Sequence, residues 1–312
     1  MKNYYFCAEI RKTITQMTKK TISYTEIEIE QNSDLVAEPQ FDLFFSDDEK
    51  ERHEDGTLRV LSLFSGSGGM DLGLEGGFIC HKHSATNPDW IDYPVNDDWV
   101  MLNRNMFRTV FACDILEAAK LTWLNYMSRY HVNPSIYHLD SIVDLVKRHR
   151  QGHEIFPHNI DVVTGGFPCQ DFSVAGKRKG FESTVSHNGE KKVDEELSEE
   201  TRGKLYMWMK QVIDIVQPKM FIAENVKGLV SLGDVKEIIQ RDFSTANGND
   251  YIVLDPQVLH AGNYGVPETR ERVIFIGIKR SALTPGAIEA LEQEVIPQAY
   301  NPYPLPTHNY NV

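Results

Sequence analysis

From Leu58 onward, short apolar or β-branched segments alternate with segments whose apolar residues recur every three to four positions. This alternation is typical of a sheet whose strands are connected by helices. We therefore predict an α/β fold with a doubly wound, mostly parallel sheet of the Rossmann-like type. The predicted strands are 59–64, 109–113, 135–139, 160–164, 220–223, 251–259 and 273–278, and the predicted helices are 70–75, 116–128, 142–150, 204–216, 235–242 and 285–294.

Segments of a different character flank and interrupt this region. Residues 1–57 are polar and mixed in charge, which predicts an extension and a linker. Two long connections, 78–108 and 177–202, lack a clear period, and connections of that length are usually functional or disordered. We predict one main domain over 58–300 that contains both insertions, followed by a connecting segment over 301–312.

Composition excludes several classes of protein. Hydrophobic residues make up 41% of the chain, and no apolar run approaches the roughly 20 residues of a membrane-spanning helix. The N-terminus lacks the pattern of a secretion signal, and the four cysteines lack the spacing of a disulfide framework or a zinc site. We expect a cytoplasmic chain with reduced thiols and no metal. Cys80, His81 and His83 lack a fourth ligand and are interpreted as loop residues.

The net charge of −13 does not favour a nucleic-acid partner, because phosphate contacts normally require Lys and Arg. The negative charge is local: residues 1–57 contain 13 acidic and 7 basic side chains, and residues 181–200 contain 7 acidic and 2 basic ones. The rest of the chain is close to neutral. A nucleic-acid partner would therefore need basic surface from another source.

A glycine-rich segment, LSLFSGSGGMD (61–71), follows the first predicted strand and opens a helix. Glycines let the backbone turn tightly and approach a ligand closely. Such a turn alone is compatible with a dinucleotide, a phosphate or a tight crossover, but Asp71 stands where the dinucleotide fingerprint requires its third glycine. Asp114, at the end of the second strand, is placed to accept hydrogen bonds from a ribose diol, although such an Asp is more often a helix cap.

The strongest chemical signal is the segment DVVTGGFPCQDFS (161–173). A buried strand runs into two glycines and a Pro-Cys turn, which places the thiol of Cys169 at the carboxyl edge of the sheet, where α/β sheets bind ligands. The basic residues at 177–179 favour the thiolate form. An inert, packed cysteine is a better description of Cys113 than of Cys169.

These motifs, in this order, resemble the DNA (cytosine-5)-methyltransferase family of prokaryotic restriction-modification systems. The resemblance covers about residues 58–280 and implies a catalytic domain that uses S-adenosylmethionine, without a metal, on double-stranded DNA at the nucleoid. The motifs that carry it are LFSGSGG (63–69), Asp114, Asp140, GFPCQ (166–170), RGKL (202–205), ENV (224–226) and RER (270–272).

The resemblance implies catalytic roles for Cys169, Glu224, Arg270 and Arg272. C5 of cytosine is a poor nucleophile, so the thiolate of Cys169 must first add to C6. Glu224 would donate a proton or a hydrogen bond at N3, while Arg272, and less directly Arg270, would bind the O2 edge and a nearby phosphate. The base must be flipped out of the duplex. The implied substrate-binding residues are Gln170, Ser173 and Asn225.

The same resemblance implies a cofactor site at the carboxyl ends of the first strands. Phe64 would pack on the adenine or the sulfonium side, and the glycines of 66–69 would approach the methionine end. Asp114 would hold the ribose and Asp140 the adenine amino group. The implied set is completed by Ser65, Gly66, Gly68, Gly69, Ile115, Ser141, Pro168 and Leu205.

The chain departs from the family pattern in two ways. Ser62, Leu139 and Glu268 replace the more usual Asp, Gly and Gln, but none of these changes removes a group that the chemistry needs. The target-recognition region and the family's closing Gly-Asn motif are not found. We expect either a split enzyme, in which a second polypeptide supplies both, or a truncated chain. The split arrangement predicts weak cofactor binding and no methylation by this chain alone.

Three other functions are weighed against this one. A catalytically silent, cofactor-binding homologue with a regulatory or scaffold role is disfavoured by the intact catalytic set. A tRNA cytosine-5 methyltransferase is a further alternative, although that branch tends to have Pro before Pro-Cys, where this chain has Phe167. The glycine spacing disfavours a nicotinamide oxidoreductase.

Overall fold

The computed structural model describes residues 56–168 and 204–308. The strands in these ranges are β1 (Leu58–Leu63), β2 (Ile79–His81), β3 (Ile91–Pro94), β4 (Trp99–Leu102), β5 (Phe107–Asp114), β6 (Tyr137–Leu139), β7 (Val162–Gly166), β8 (Met220–Val226), β9 (Tyr251–Val253), β10 (Gln257–His260) and β11 (Glu271–Lys279). The helices are α1 (Gly69–Glu75), α2 (Glu117–Met127), α3 (Ile142–Arg150), α4 (Leu205–Val216), α5 (Val235–Ser244), α6 (Ala246–Asn249) and α7 (Pro285–Leu291).

The main sheet has the strand order β10-β11-β8-β7-β1-β5-β6, with β9 also paired to β11. Neighbours from β8 to β6 are parallel, whereas β11 runs antiparallel to β8, β9 and β10. The predicted mostly parallel, Rossmann-like α/β fold is confirmed. The chain proceeds from β1 to β5 and β6 on one side and to β7 and β8 on the other. A crevice therefore opens beyond the carboxyl ends of β1 and β7, where α/β proteins bind ligands.

Alternate strand residues pack against different helices, because successive side chains of a strand point to opposite faces of a sheet. Leu61 and Leu63 belong to the largest buried cluster, which also contains residues of α3, α4 and α5. Ala112 packs with Trp123 of α2 and with Tyr137 in a separate cluster. Both faces of the sheet are thus covered, and the central strand β1 is apolar along most of its length, as expected for a parallel strand buried on both sides.

Strand bounds differ from those predicted, and in two strands a local sequence feature accounts for the difference. The single strand expected over 251–259 is wrong: β9 and β10 are separate, and Pro256 lies between them. Proline has no N–H to donate to a sheet ladder, which accounts for the break. The strand expected from residue 135 begins at Tyr137, because Pro134–Ile136 forms a 3-10 turn in which the Asn133 side chain accepts a hydrogen bond from the Ser135 N–H.

The first insertion is a folded element, so the expectation that Cys80 and His81 are loop residues is wrong. Strands β2, β4 and β3 form a separate antiparallel sheet, and both residues lie on β2. The buried carboxyl of Glu75 holds this insertion to the main domain. Its Oε2 accepts a hydrogen bond from Arg104 at 3.1 Å, and its Oε1 accepts one from the Thr109 N–H at 2.9 Å.

Residues 301–308, interpreted from the sequence as a connecting segment, pack against the main domain. Tyr303 is buried, and its hydroxyl donates to the Ile274 carbonyl at 2.9 Å. The backbone N–H groups of Thr307 and His308 both donate to the Asn263 carbonyl at 2.9 Å. The predicted insertion at 177–202 and nearly all of the 1–57 extension lie outside the described residues.

Candidate active site

The glycine-rich turn leaves β1 in an uncommon backbone conformation. Phe64, Gly66 and Gly68 have φ angles of 52°, 53° and 89°, and a non-glycine residue in this left-handed region is worth a functional explanation. Ser65 fixes the turn to the neighbouring strand: its N–H donates to the Cys113 carbonyl at 2.9 Å, and its Oγ accepts from the Cys113 N–H at 3.1 Å. The turn is therefore held directly above the crevice.

Asp114 faces this turn from the end of β5. Its Oδ2 accepts a hydrogen bond from the Gly66 N–H at 3.0 Å, and its Oδ1 accepts one from the Leu116 N–H at 3.0 Å. An ionised carboxylate has about four acceptor positions. Asp114 therefore acts as a cap for this turn, and the ribose-binding role expected from the sequence stays a prediction.

The third strand end carries the predicted adenine side of the site. Asp140 forms an ion pair with Arg148 at 3.0 Å. The side chains of Ile115 and Leu139 lie at this edge and are 39% and 41% exposed. Ser141 is buried, and its hydroxyl accepts a hydrogen bond from the backbone of α3, so its side chain serves as a helix cap.

The described members of the predicted catalytic set come together at the ends of β7, β8 and β11. Arg272 Nε lies 2.6 Å from Glu224 Oε1, and Arg270 Nη2 lies 3.7 Å from the same oxygen. Glu224 is the register partner of Gly166 on β7, and a Cβ added at Gly166 would lie 3.1 Å from Glu224 Oε2. The acid therefore lies beside the strand end that leads to Cys169. Cys169, Gln170 and Ser173 fall outside the described residues.

Asn225, predicted to bind substrate, is buried, and both the nitrogen and the oxygen of its side-chain amide form hydrogen bonds with backbone groups. Its Nδ2 donates to the Phe167 carbonyl at 3.2 Å, and its Oδ1 accepts from the Val226 N–H at 2.8 Å. Its side chain thus joins the end of β8 to the segment after β7. Leu205, predicted to line the cofactor site, packs in the main core, while Pro168 is partly exposed at the edge.

Sequence reasoning missed two residues that contact predicted site residues. Arg148 holds Asp140 from eight positions along the chain. The Tyr137 hydroxyl donates to the Gly66 carbonyl at 3.0 Å, across 71 positions. Neither contact has a local sequence signature. Arg148 lies in the last turn of α3, and a basic residue there is ordinarily explained by its favourable interaction with the helix dipole.

The described residues contain neither a candidate membrane-spanning helix nor a candidate metal-binding group. In the ranges 56–168 and 204–308, no helix is long and apolar enough to cross a membrane. Over those same ranges, no three His, Cys, Asp or Glu side chains are grouped so that they could hold a metal ion. His81 instead contacts the rings of His83 and Trp99, with centroid separations of 4.9 and 5.7 Å.

The strand order defines a Rossmann-like α/β protein, and the acid–arginine group lies at the ends of β8 and β11, beside β7. The family model of the C-5 cytosine-specific DNA methylases matches residues 58–308. The chain therefore belongs to the family of C-5 cytosine-specific DNA methylases, which confirms the resemblance inferred from the motifs.

Two curated relatives show the extent of the match. The Type II methyltransferase M.BspRI of Lysinibacillus sphaericus is 31% identical over 254 residues, which cover 80% of this chain and 51% of the relative. M.BsuRI of Bacillus subtilis is 30% identical over 227 residues, which cover 72% and 44%. The chain thus spans about half the length of these relatives. Among solved structures, the S. pombe Dnmt2 methyltransferase superposes with a TM-score of 0.40 at 16% identity, covering 72% of this chain and 50% of that one.

Proposed function

We propose that this chain is the catalytic portion of a restriction-modification DNA (cytosine-5)-methyltransferase. It would transfer a methyl group from S-adenosylmethionine to C5 of a cytosine flipped out of double-stranded DNA. One observation carries the proposal: Glu224 is held by Arg272 at 2.6 Å and lies against Gly166, three residues before Cys169. Family membership supports this reaction over a dehydrogenase or a structural role.

The residues at the switch point fit the cofactor. A Cβ built at Gly69 would meet nothing within 4 Å outside its own neighbours and helix, so the turn is open to a ligand. Asp114 keeps acceptor positions for ribose hydroxyls, and the exposed apolar side chains of Ile115 and Leu139 suit the faces of an adenine ring. Bound there, S-adenosylmethionine supplies an activated methyl group on a sulfonium.

The chain's own residues account for the remaining chemistry. The Cys169 thiolate would form a bond to C6, moving an electron pair toward C5 so that C5 can accept the methyl group. Glu224 would donate a proton to N3 of the base from the oxygen beside Gly166, which balances the negative charge that thiolate addition brings to the ring. Arg272 would fix the other oxygen of Glu224 and reach toward O2. Solvent water would then take the C5 proton, and the electron pair of that C–H bond would form the C5–C6 double bond as the C6–sulfur bond breaks and the Cys169 thiolate leaves. The N3 proton would return to Glu224.

DNA recognition is a separate part of the proposal. The relatives are about twice as long as their matched regions, and the matched region here holds the catalytic motifs. We propose that the choice of target sequence, and much of the phosphate contact, come from sequence outside 58–308. A second polypeptide would supply that sequence in the split arrangement.

Covalent trapping tests the proposal directly. The chain is incubated with S-adenosylmethionine and random-sequence duplex DNA in which 5-fluorocytosine replaces cytosine, first alone and then with a second polypeptide that supplies a target-recognition region. Fluorine at C5 cannot leave as a proton would, so a competent site remains bonded to the DNA. We expect a denaturation-resistant adduct in the reconstituted sample that Cys169→Ser abolishes and Glu224→Gln slows at least about tenfold.

The matched control is Cys80→Ser, which changes a partly exposed thiol on β2 that is not one of the proposed catalytic or cofactor-binding residues. It should form the adduct at the wild-type rate. An adduct that survives Cys169→Ser would contradict the assignment of the nucleophile. Efficient methylation by the isolated chain would contradict the split arrangement and leave the catalytic assignment intact.

A further inference from the structure

A buried carboxyl lies directly behind the glycine-rich turn. Asp71, in the first turn of α1, has no exposed surface, and its Oδ2 accepts a hydrogen bond from the indole Nε1–H of Trp123 at 2.6 Å. Burial raises the pKa of Asp71 to about 6, against the opposing effect of hydrogen bonds from Ser62 and Trp123. Burying a carboxyl is unfavourable unless its hydrogen bonds are used. No step of the proposed reaction uses this group.

Trp123 lies against the turn itself. A Cβ added at Gly68 would be 2.6 Å from Cδ1 and 3.0 Å from Nε1 of the Trp123 indole, so only a glycine backbone fits there. Trp123 belongs to α2, and its indole is completely buried. The direction of the indole, which the Asp71 carboxylate fixes, therefore determines how far the backbone at Gly68 can move inward.

Tyr137 supports the other end of the same turn. Its ring packs edge-on against Trp123 with a centroid separation of 5.2 Å, and its hydroxyl donates to the Gly66 carbonyl at 3.0 Å. The Gly66 N–H meanwhile donates to Asp114 at 3.0 Å. Gly66 is thus held on its carbonyl side by a buried tyrosine and on its amide side by the proposed ribose acceptor.

We propose that Asp71, Trp123 and Tyr137 are positioning residues that hold the Gly66–Gly68 turn in its binding conformation without touching the cofactor. The proposal rests on the proposed function, because the turn matters only if it binds S-adenosylmethionine or its product. A turn held in place before binding loses less conformational freedom when the ligand arrives, and this preorganisation increases affinity.

Removal of one hydroxyl tests the proposal. In Tyr137→Phe the ring remains and only the hydrogen bond to Gly66 is lost. Tyr130→Phe is a matched control, because the Tyr130 hydroxyl donates to the Gly76 carbonyl at 2.6 Å, at the opposite end of α1. We expect both variants to lower the melting temperature slightly. Only Tyr137→Phe should weaken binding of S-adenosylhomocysteine, by about 2- to 10-fold in calorimetry of the 312-residue chain.

A second pair of variants tests the carboxyl. Asp71→Asn keeps an acceptor for the indole N–H and should bind S-adenosylhomocysteine nearly as the wild type does, whereas Asp71→Ala removes the acceptor and should bind about tenfold more weakly. Hydrogen exchange of the ligand-free protein supplies a readout that does not depend on binding. The peptide containing residues 64–69 should exchange faster in Tyr137→Phe and Asp71→Ala, but not in Tyr130→Phe.

The outcomes separate the two proposals. If the wild type binds no S-adenosylhomocysteine, the cofactor assignment fails, and the role proposed here fails with it. If the wild type binds but Tyr137→Phe and Tyr130→Phe have equal affinities, or if exchange at 64–69 is unchanged in Tyr137→Phe, the positioning role is overturned while the cofactor assignment stands.

Discussion

Two glycines in the central strands provide a matched test of how the core responds to a single added methyl group. A Cβ at Gly277 of β11 would lie 2.1 Å from Cε1 and 2.2 Å from Cζ of Phe221. A Cβ at Gly165 of β7 would lie 2.8 Å from Sδ and 3.3 Å from Cε of Met209. Neither glycine has a positive φ, so alanine fits the backbone at both positions. The two substitutions differ only in what the methyl group meets.

The two substitutions should change the free energy of unfolding by different amounts, because the Phe221 ring beside Gly277 is stiffer than the Met209 side chain beside Gly165. Ordinary carbon contacts lie at about 3.5 Å, so the Phe221 ring would have to move by more than about 1 Å. That ring is fully buried and packs against Phe243 and Tyr251, with centroid separations of 5.0 and 5.6 Å. We expect Gly277→Ala to lower the free energy of unfolding by about 1–3 kcal/mol.

Gly165→Ala should be nearly neutral. The Met209 thioether can rotate away from the added methyl group, and alanine lowers the entropy of the unfolded chain by an amount worth about 0.4–1 kcal/mol. Urea unfolding followed by tryptophan fluorescence measures both variants, and Gly277→Ala should also melt about 2–12 °C below the wild type. Phe221→Leu, added to Gly277→Ala, should restore part of the loss. Equal unfolding midpoints for Gly277→Ala and Gly165→Ala would refute the reasoning.

Three further predictions concern buried polar groups. Burial raises the pKa of Asp71 from 3.8 to about 6, so the folded state binds the proton more tightly than the unfolded state does. The free energy of unfolding should therefore fall as pH rises from about 4 to 6, by up to about 3 kcal/mol. This pH-dependent loss should be absent when Asp71→Asn is unfolded by urea over the same pH range. Burial raises the pKa of the Cys113 thiol to about 12, so peptide mapping after iodoacetamide treatment at pH 8 should find it unlabelled unless urea is present. Glu75→Gln should destabilise by about 1.5–3 kcal/mol, because either Arg104 or the Thr109 N–H loses its acceptor. Arg104→Met should cost at least as much in the same assay, because it leaves the buried Glu75 carboxylate without its cation.

The main domain could be predicted because its signals are long and repeated. The apolar stripe of α4 and the apolar run of β1 each continue over several residues, so their type and approximate bounds are correct. The proximity of Glu224 to Arg270 and Arg272 is predicted by the order of the motifs and not by any local pattern. The antiparallel pairing of β11 with β8 is what brings them together.

The parts that could not be predicted depend on short elements or distant contacts. Strands β2, β3 and β4 have three or four residues each, too few to show a period, so the insertion looked like a loop. The contact between Tyr137 and Gly66 joins positions 71 apart, and only the folded sheet places them together. A buried Asp in a glycine-rich segment, such as Asp71, also has no sequence signature that separates it from an exposed one.

The reversed direction of β11 has a consequence for how the family can vary. In a fully parallel sheet, the segments that reach the functional edge are those that follow strands, and insertions before a strand fall on the opposite side. Because β11 runs the other way, the stretch between β10 and β11, which ends at Arg270, lies at the functional edge, whereas the stretch from β11 to α7 leaves from the far edge. Lengthening the 261–270 stretch should therefore alter the reaction. Lengthening the 280–284 stretch should instead lower stability, because Ala282 and Leu283 are buried there, and leave the geometry of the site unchanged.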